Sequence, residues 1–179
     1  WGLTFYEGRG YLGLVADASI SKSKNNLYGY VVSFNPEKMD EPFQLEFAFP
    51  LNYKRERASY ADRVTAWPLR TAVWEVWAEN WEDTRIILDD EANDTLYVSY
   101  PQPIISDLDF DNDGNLVIGI MDRWGHQVGF LNFPPVSRSN TYLIGYSAGD
   151  IIKAIPNSVV RSGYNFILEP ENNDIFIFA

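Results

Sequence analysis

The chain has 179 residues, carries a formal net charge of −11 and contains no cysteine, and aromatic residues make up 16% of it. This composition excludes an intrinsically disordered chain, and the length is sufficient for one hydrophobic core. The lack of cysteine excludes disulfides and cysteine-based metal sites, and the acidic balance argues against nucleic acids and anionic membranes as partners.

Short strands are predicted along most of the chain. Aromatic-rich or alternating runs bounded by Gly, Pro, Asn and Asp are typical of strands. In chain order the runs are residues 2–7, 10–18, 27–34, 43–49, 85–88, 95–100, 104–110, 116–121, 142–146, 150–155, 164–168 and 174–178. About a dozen short strands at this spacing predict an all-β fold, either a sandwich or a β-propeller of four-stranded blades.

The strand pattern also predicts which strands pair and which side chains share a face of a strand. Strict alternation over residues 43–49 places the four apolar side chains on one face and Glu46 on the other. Residues 142–146 and 150–155 are expected to form a hairpin around Ser147-Ala148-Gly149. Residues 116–121 are apolar on both faces, which is expected where sheets stack on one another.

One segment, residues 54–83, breaks the strand pattern because it is rich in charge, alanine and tryptophan. Three of its tryptophans recur at helical spacing, so a helix is predicted over residues 70–80. We expect an insertion whose tryptophans pack on the sheets. The alternative is a sugar-stacking platform formed by the tryptophans of this segment: Trp67, Trp74, Trp77 and Trp81.

The densest acidic group is a candidate metal site: Asp107, Asp109, Asp111 and Asp113. The first three side chains would share one face of a strand, roughly 7 Å apart. Like charges in a row require solvent, hydrogen bonds or a cation. An EF-hand is excluded because Ile120 stands where the bidentate Glu is needed, but a partial calcium site stays open. The structural alternative is a hairpin turn closed by Gly114.

A polar motif follows directly after the predicted strand 116–121, and we call residues 122–127 the strand-end motif. It contains the single histidine of the chain. Side chains at a strand end often form pockets, so the candidate ligand-binding residues are Asp122, Arg123, His126 and Gln127, together with Trp74 and Trp77. The alternative is a structural hydrogen-bond network. No serine lies in a nucleophile-elbow context, so no catalytic residue is assigned.

Three stretches resemble a propeller-like domain of large bacterial cell-surface proteins that often carry Cna B-type immunoglobulin-like repeats. They are residues 2–36, residues 100–127 and residues 147–152, of which the phrase from Pro101 to Gln127 is the most distinctive. A cysteine often follows the third stretch in that family, whereas Ala154 follows it here. The resemblance implies an exported surface protein for attachment, matrix building or envelope assembly, and implies no enzymatic activity.

These observations predict one propeller-type domain over residues 1–179, as a fragment of a longer chain. We expect a non-catalytic binding or structural module, extracellular or on the cell surface, that meets envelope or matrix proteins or surface glycans. Neither nucleic acid nor membrane insertion is expected. The alternatives are a calcium-dependent propeller hydrolase resembling lactonases, and a carbohydrate-binding module that uses exposed tryptophans.

Overall fold

A computed structural model describes residues 2–55, 72–84, 86–91, 95–135, 140–157 and 164–169. Within these ranges the protein is all-β, as predicted, with one α-helix, α1 (Arg123–Val128), and two single turns of 3-10 helix, Lys24–Asn26 and Trp81–Asp83. The strands are β1 (Leu3–Tyr6), β2 (Arg9–Ala16), β3 (Tyr28–Phe34), β4 (Gln44–Pro50), β5 (Ile86–Glu91), β6 (Thr95–Ser99), β7 (Pro103–Phe110), β8 (Leu116–Asp122), β9 (Phe130–Asn132), β10 (Tyr142–Gly145), β11 (Asp150–Pro156) and β12 (Phe166–Leu168).

The strands form three sheets of four strands each. Sheet A has the order β1-β2-β3-β4, and all its pairings are antiparallel. Sheet C has the order β12-β11-β8-β7 and is also antiparallel. Sheet B has the order β5-β6-β10-β9 and contains one parallel pairing, between β6 and β10. In the described ranges no helix has the length and apolarity that a membrane crossing requires.

Sheets A and C pack on each other through a common hydrophobic core. Gly13 of β2 permits the close approach, because a Cβ there would lie 2.2 Å from Cγ2 of Ile105 on β7. The Tyr6 ring stacks on the Phe110 ring with centroids 4.1 Å apart. The buried core residues are Tyr11, Leu27, Val31, Phe47, Phe49, Leu51, Trp74, Ile105, Leu108, Leu116, Ile118, Ile120, Ile152, Ala154 and Phe166.

Sheet B has a smaller cluster of its own. Val98 of β6 and Leu143 of β10 pack against Trp124 and Val128 of α1. Helix α1 therefore covers sheet B, although it follows directly from the last strand residue of sheet C, Asp122.

Two expectations about the strands are wrong in detail. A β-bulge at Glu46 shifts the register of β4, so Leu45 faces away from the core while Glu46 is buried. The expected hairpin of residues 142–146 with 150–155 does not form, since β10 pairs with β6 and β9 while β11 pairs with β8 and β12. Strand β9 and helix α1 were not predicted.

The helix predicted over residues 70–80 is also wrong for its described part, residues 72–80, which are non-helical. The backbone amides bond elsewhere: Glu75 N–H donates to the Pro101 carbonyl, and Trp77 N–H donates to the Asp17 carbonyl. Tertiary contacts thus replace the local bonds of a helix. The strand predicted over residues 174–178 lies outside the described residues.

Candidate functional site

Asp122 lies at the junction between sheet C and helix α1, and it is fully buried. It is the N-cap of α1: its Oδ1 accepts hydrogen bonds from Trp124 N–H at 3.0 Å and Gly125 N–H at 3.2 Å. The same oxygen accepts from Gln102 N–H at 3.0 Å. An aspartate at this position supplies acceptors for amides that have no partner within the helix.

A second buried carboxylate, Asp150, and a buried arginine, Arg55, lie close to Asp122. Arg55 Nη1 donates to the carbonyls of Ala148 and Gly149, and its guanidinium lies 3.7 Å from the centroid of the Trp74 ring. The Tyr53 hydroxyl donates to Asp150 Oδ2. One buried cation thus faces two buried carboxylates, and we call Tyr53, Arg55, Asp122 and Asp150 the buried charge cluster.

Burial dominates the ionisation of this cluster. It raises the pKa of Asp122 to about 6, although the backbone donors and Arg55 act in the opposite direction. It also raises the pKa of Asp150 and lowers the pKa of Arg55. The pKa of Tyr53 is raised by burial and by the charge of Asp150. A carboxyl group that is removed from water binds its proton more tightly, because its charged form is disfavoured there.

Arg123 is the first residue of α1, and its side chain packs on the segment 72–80. Its Nη2 donates to Gln102 Oε1, and its guanidinium lies 3.9 Å from the centroid of the Trp77 ring. Trp77 Nε1–H donates to the Pro103 carbonyl at 3.2 Å. The arginine and its tryptophan therefore fix the segment 72–80 to the start of β7.

A groove of about 480 Å³ opens beside α1. Its aromatic part contains Trp81 and Trp124, whose rings stack with centroids 5.9 Å apart and planes 14° apart. The lining is mixed aromatic, aliphatic and polar, and we call it the α1 groove: Ala78, Glu79, Asn80, Trp81, Thr84, Arg123, Trp124, Gln127, Val128, Asn132, Phe133 and Pro135. Mixed apolar walls with a few polar groups are typical of small-molecule sites.

The candidate ligand-binding residues therefore lie in different places. Arg123 and Gln127 line the α1 groove, whereas His126 is exposed outside its lining. Asp122 is buried as the helix cap. The expectation for Trp74 is wrong, because its side chain is fully buried under Arg55.

The described tryptophans of the predicted sugar-stacking platform lie in different surroundings. Trp77 presents one face to the guanidinium of Arg123, and Trp67 lies outside the described residues. Of the three expected tryptophans that the structure describes, Trp81 alone lines the groove, where its partner is Trp124. The sequence signal for Trp124 was its position in the strand-end motif, one residue after Arg123.

The acidic group lies on and beside the β7–β8 hairpin. Asp111 Oδ1 accepts from Asp113 N–H and Asn115 N–H, both at 2.9 Å, and its Oδ2 lies 3.2 Å from Lys153 Nζ. These bonds hold the pKa of Asp111 at about 2, chiefly through the side-chain amide of Asn115. Gly114 has φ of 78°, as expected for a turn of this kind.

Asp107 and Asp109 are exposed on β7, and each accepts from the backbone amide that follows it, Leu108 N–H and Phe110 N–H. Over the ranges that the structure describes, no three His, Cys, Asp or Glu side chains are grouped so that they could hold a metal ion. The geometry thus assigns Asp111 to the turn, and calcium binding by the four aspartates stays a prediction.

Sequence reasoning missed a second buried polar group around Glu46. Glu46 Oε1 accepts from the Ser33 hydroxyl, Glu46 Oε2 accepts from Asn165 Nδ2, and Arg9 Nη2 donates to Ser33 Oγ at 2.7 Å. The bulge in β4 turns Glu46 inward, and the sequence around Glu46 contains no local signal for a bulge. Arg55 was missed for a similar reason, since its carbonyl partners lie more than 90 residues away.

Comparison with known proteins gives little that bears on the site. No protein-family model matches the chain, and no solved structure matches it. The chain is similar to Colossin-A of Dictyostelium discoideum, with 26% identity over 136 residues. That stretch covers 76% of this chain, whereas the chain spans only 1% of the length of that protein.

Proposed function

We propose that the chain is a non-catalytic binding module of an exported, surface-exposed protein, and that the α1 groove holds its ligand. The observation that carries this proposal is the lining of the groove, in which Trp81, stacked on the buried ring of Trp124, meets the polar side chains of Glu79, Gln127 and Arg123. Its volume of about 480 Å³ lies within the range of small-molecule sites.

The lining favours a neutral sugar unit. Indole faces and edges pack on the apolar faces of pyranose rings, while amide and carboxylate side chains exchange hydrogen bonds with hydroxyl groups. Arg123 is fixed by Gln102 and Trp77, and Glu79 lines the same groove, so the lining carries one charge of each sign and favours neither an anion nor a cation. The aromatic and polar lining together with its balanced charge favours a glycan terminus or a short neutral saccharide as the ligand.

We further propose that sheets A and C are blades of a β-propeller. Sheet A is a four-stranded antiparallel meander, which is the blade topology, and its inner face shares a core with the neighbouring sheet C. Since propellers have at least four blades, the remaining blades would come from sequence outside this chain or from other copies of it.

A module within a much larger surface protein fits these proposals. The resemblance of residues 2–36, 100–127 and 147–152 supports export and a bacterial source, with envelope or matrix proteins and surface glycans as partners. The similarity to a stretch that makes up 1% of Colossin-A supports the view that such a module belongs to a very long polypeptide.

The groove can be tested by isothermal titration calorimetry with a panel of neutral and acidic oligosaccharides. We expect saturable binding of a neutral member, and we expect Gln127→Ala to lower its affinity by about 3- to 10-fold, the effect of losing one hydrogen bond. Trp81→Ala should remove binding, because it opens one wall of the groove.

His126→Ala is the matched control, since His126 belongs to the same helix but lies outside the groove lining. Its affinity should equal that of the wild type. If no saccharide binds, or if His126→Ala weakens binding as much as Gln127→Ala does, the groove is not the ligand site.

A further inference from the structure

A second cavity lies between sheets A and C, at the end of the sheets where the β1–β2 and β7–β8 hairpins turn. Its volume is about 460 Å³, and it shares no lining residue with the α1 groove. Sheet A contributes residues of β1, β2 and β4, and sheet C contributes the ends of β7 and β11 and the start of β12. We call this cavity the A–C pocket.

One wall of the A–C pocket is aromatic. The Tyr6 ring stacks on the Phe110 ring, and Phe110 also contacts the rings of Tyr11 and Phe166, with centroids 4.8 Å and 6.1 Å apart. All four side chains line the pocket. Aromatic rings hold an alkyl chain by apolar contact, and their faces attract a cation.

The base of the pocket has acceptors that are not saturated. Glu46 is 4% exposed, and the described residues supply its carboxylate with two hydrogen bonds, from the Ser33 hydroxyl and from Asn165 Nδ2. A carboxylate can accept about four. Tyr11 is 8% exposed and lines the same pocket, and its hydroxyl has no hydrogen bond to another described residue. Buried polar atoms without a full set of partners indicate a place for a hydrogen-bonding ligand.

The charge of the lining favours a cation. The pocket contains three carboxylates, those of Glu7, Glu46 and Asp113, against the single guanidinium of Arg9. Arg9 is held in place by Ser33 Oγ, which accepts from its Nε at 3.1 Å and its Nη2 at 2.7 Å. The carboxylates of the lining are not grouped so that they could hold a metal ion. An excess of negative charge beside an aromatic wall therefore favours an organic cation.

We propose that the A–C pocket binds a primary alkylammonium group, the chemistry of a lysine side chain or of a polyamine. The alkyl stem packs on the aromatic wall, and the ammonium donates hydrogen bonds to Glu46 and to the Tyr11 hydroxyl. Glu7 and Asp113 are exposed in the two hairpin turns, and their charges attract the cation to the mouth of the pocket. The site is separate from the α1 groove, so it does not depend on saccharide binding there.

An NMR titration of the chain labelled with ¹⁵N tests the site, with two amines as probes: Nα-acetyl-lysine N-methylamide and spermidine. We expect saturable shift changes in the amides of residues 6–11, 44–46 and 110–115. The dissociation constant should be on the order of 1 mM, as for a ligand of about fourteen non-hydrogen atoms. Acetylation of the lysine amine removes its charge, and this derivative should bind about 10-fold more weakly or less. Tighter binding of the lysine derivative would identify a peptide side chain as the ligand, and tighter binding of spermidine would identify a free polyamine.

Two variants locate the binding groups. Tyr11→Phe keeps the ring and removes the hydroxyl, so we expect the affinity to fall about 3- to 10-fold, whereas Tyr30→Phe, outside the pocket lining, should leave it unchanged. Glu46→Gln should lower the affinity about 10-fold or more. Glu37→Gln makes the same change of charge at an exposed position outside the pocket and is its control. Tyr11→Phe decides the matter if Glu46→Gln fails to fold by circular dichroism, because the Tyr11 hydroxyl has no hydrogen bond to lose.

The proposal is overturned if neither amine gives saturable shift changes at concentrations on the order of 10 mM. It is also overturned if the changes scatter over the acidic surface, or if the acetylated lysine derivative binds as tightly as the charged one. Equal losses of affinity in Tyr11→Phe and Tyr30→Phe, or in Glu46→Gln and Glu37→Gln, would have the same meaning, because binding would then reflect the overall negative charge and not this pocket.

Discussion

The two parts of the molecule differ in how they are held together. Among the described residues, sheets A and C share a core of fifteen buried side chains, whereas the cluster that joins sheet B to α1 contains four. The first region is wholly antiparallel, and the second contains a parallel pairing and a short helix. The α1 groove lies in the second region.

The difference suggests a division of labour between a rigid scaffold and a less stable binding region. A large shared core resists local opening, while elements with few buried contacts open more readily. The buried charge cluster lies between the two, because Asp122 ends β8 of sheet C and caps α1, and Asp150 begins β11 of sheet C.

The largest effect is expected from the same cavity made in the two cores. Leu116 in sheet C and Leu143 in sheet B are both buried, so Leu→Ala removes the same side-chain atoms from each core. We expect Leu116→Ala to lower the free energy of unfolding by about 4–5 kcal/mol and Leu143→Ala by about 2–3 kcal/mol, because a small cluster collapses around a cavity more easily. Urea denaturation measures both, and equal losses would contradict the comparison.

The junction is tested by removing its cation. Arg55→Met leaves two buried carboxylates without the cation that interacts with both, so we expect a loss of about 3 kcal/mol of unfolding free energy. Lys38→Met is the control, because Lys38 forms an exposed ion pair with Glu41, and such pairs contribute little. A loss for Arg55→Met no greater than that for Lys38→Met would mean that the buried charge cluster does not hold the regions together.

The same junction should give a pH dependence. The pKa of Asp122 is about 6 in the folded protein, above its unfolded value, so the folded state binds the proton more tightly. The stabilisation is therefore complete below about pH 4 and is lost as the pH rises through about 6, with a size of about 2–3 kcal/mol. Thermal unfolding from pH 4 to 7 should show this decline in the wild type and a flatter profile in Asp122→Asn, which retains a capping oxygen.

The smallest effect is expected at the β7–β8 turn, far from the groove. Asp111→Ala removes acceptors for two backbone amides and the ion pair with Lys153, and we expect a small fall in Tm with unchanged saccharide affinity. Asp109→Ala, which removes the acceptor for a single neighbouring amide, should have less effect. A rise in Tm on adding calcium that Asp111→Ala abolishes would show that the turn also binds the ion.

Much of the scaffold could be predicted because its signals are local. The turn at Asp111-Asn112-Asp113-Gly114-Asn115 and the apolar runs beside it gave β7 and β8 nearly to the residue. Alternation and turn residues determine such hairpins without reference to distant parts of the chain. The bulge at Glu46 could not be predicted, because it depends on Ser33 in β3 and on Asn165 just before β12.

The candidate site was harder to predict because distant segments form it. Two residues of the strand-end motif, Arg123 and Gln127, line the α1 groove, and their role in binding stays a prediction. The tryptophan spacing at 74, 77 and 81 was misread as a helix. Tryptophans spaced three or four residues apart also occur in irregular segments whose side chains pack on two different elements, so this spacing alone does not indicate a helix. The electrostatic interaction of Arg55 with Asp122 and Asp150 joins residues remote in sequence, so no local pattern predicts it.

Native-state hydrogen exchange, measured with and without the saccharide identified by calorimetry, can show whether a stable scaffold of sheets A and C carries a separate, less stable binding region. We predict that amides of β3 and β8 exchange only through global unfolding, that amides of β10 and α1 exchange faster, and that the saccharide slows exchange in α1 and residues 78–84 alone. Uniform protection across the three sheets, or protection by the saccharide that spreads equally over sheets A and C, would contradict a stable scaffold that carries a separate binding region.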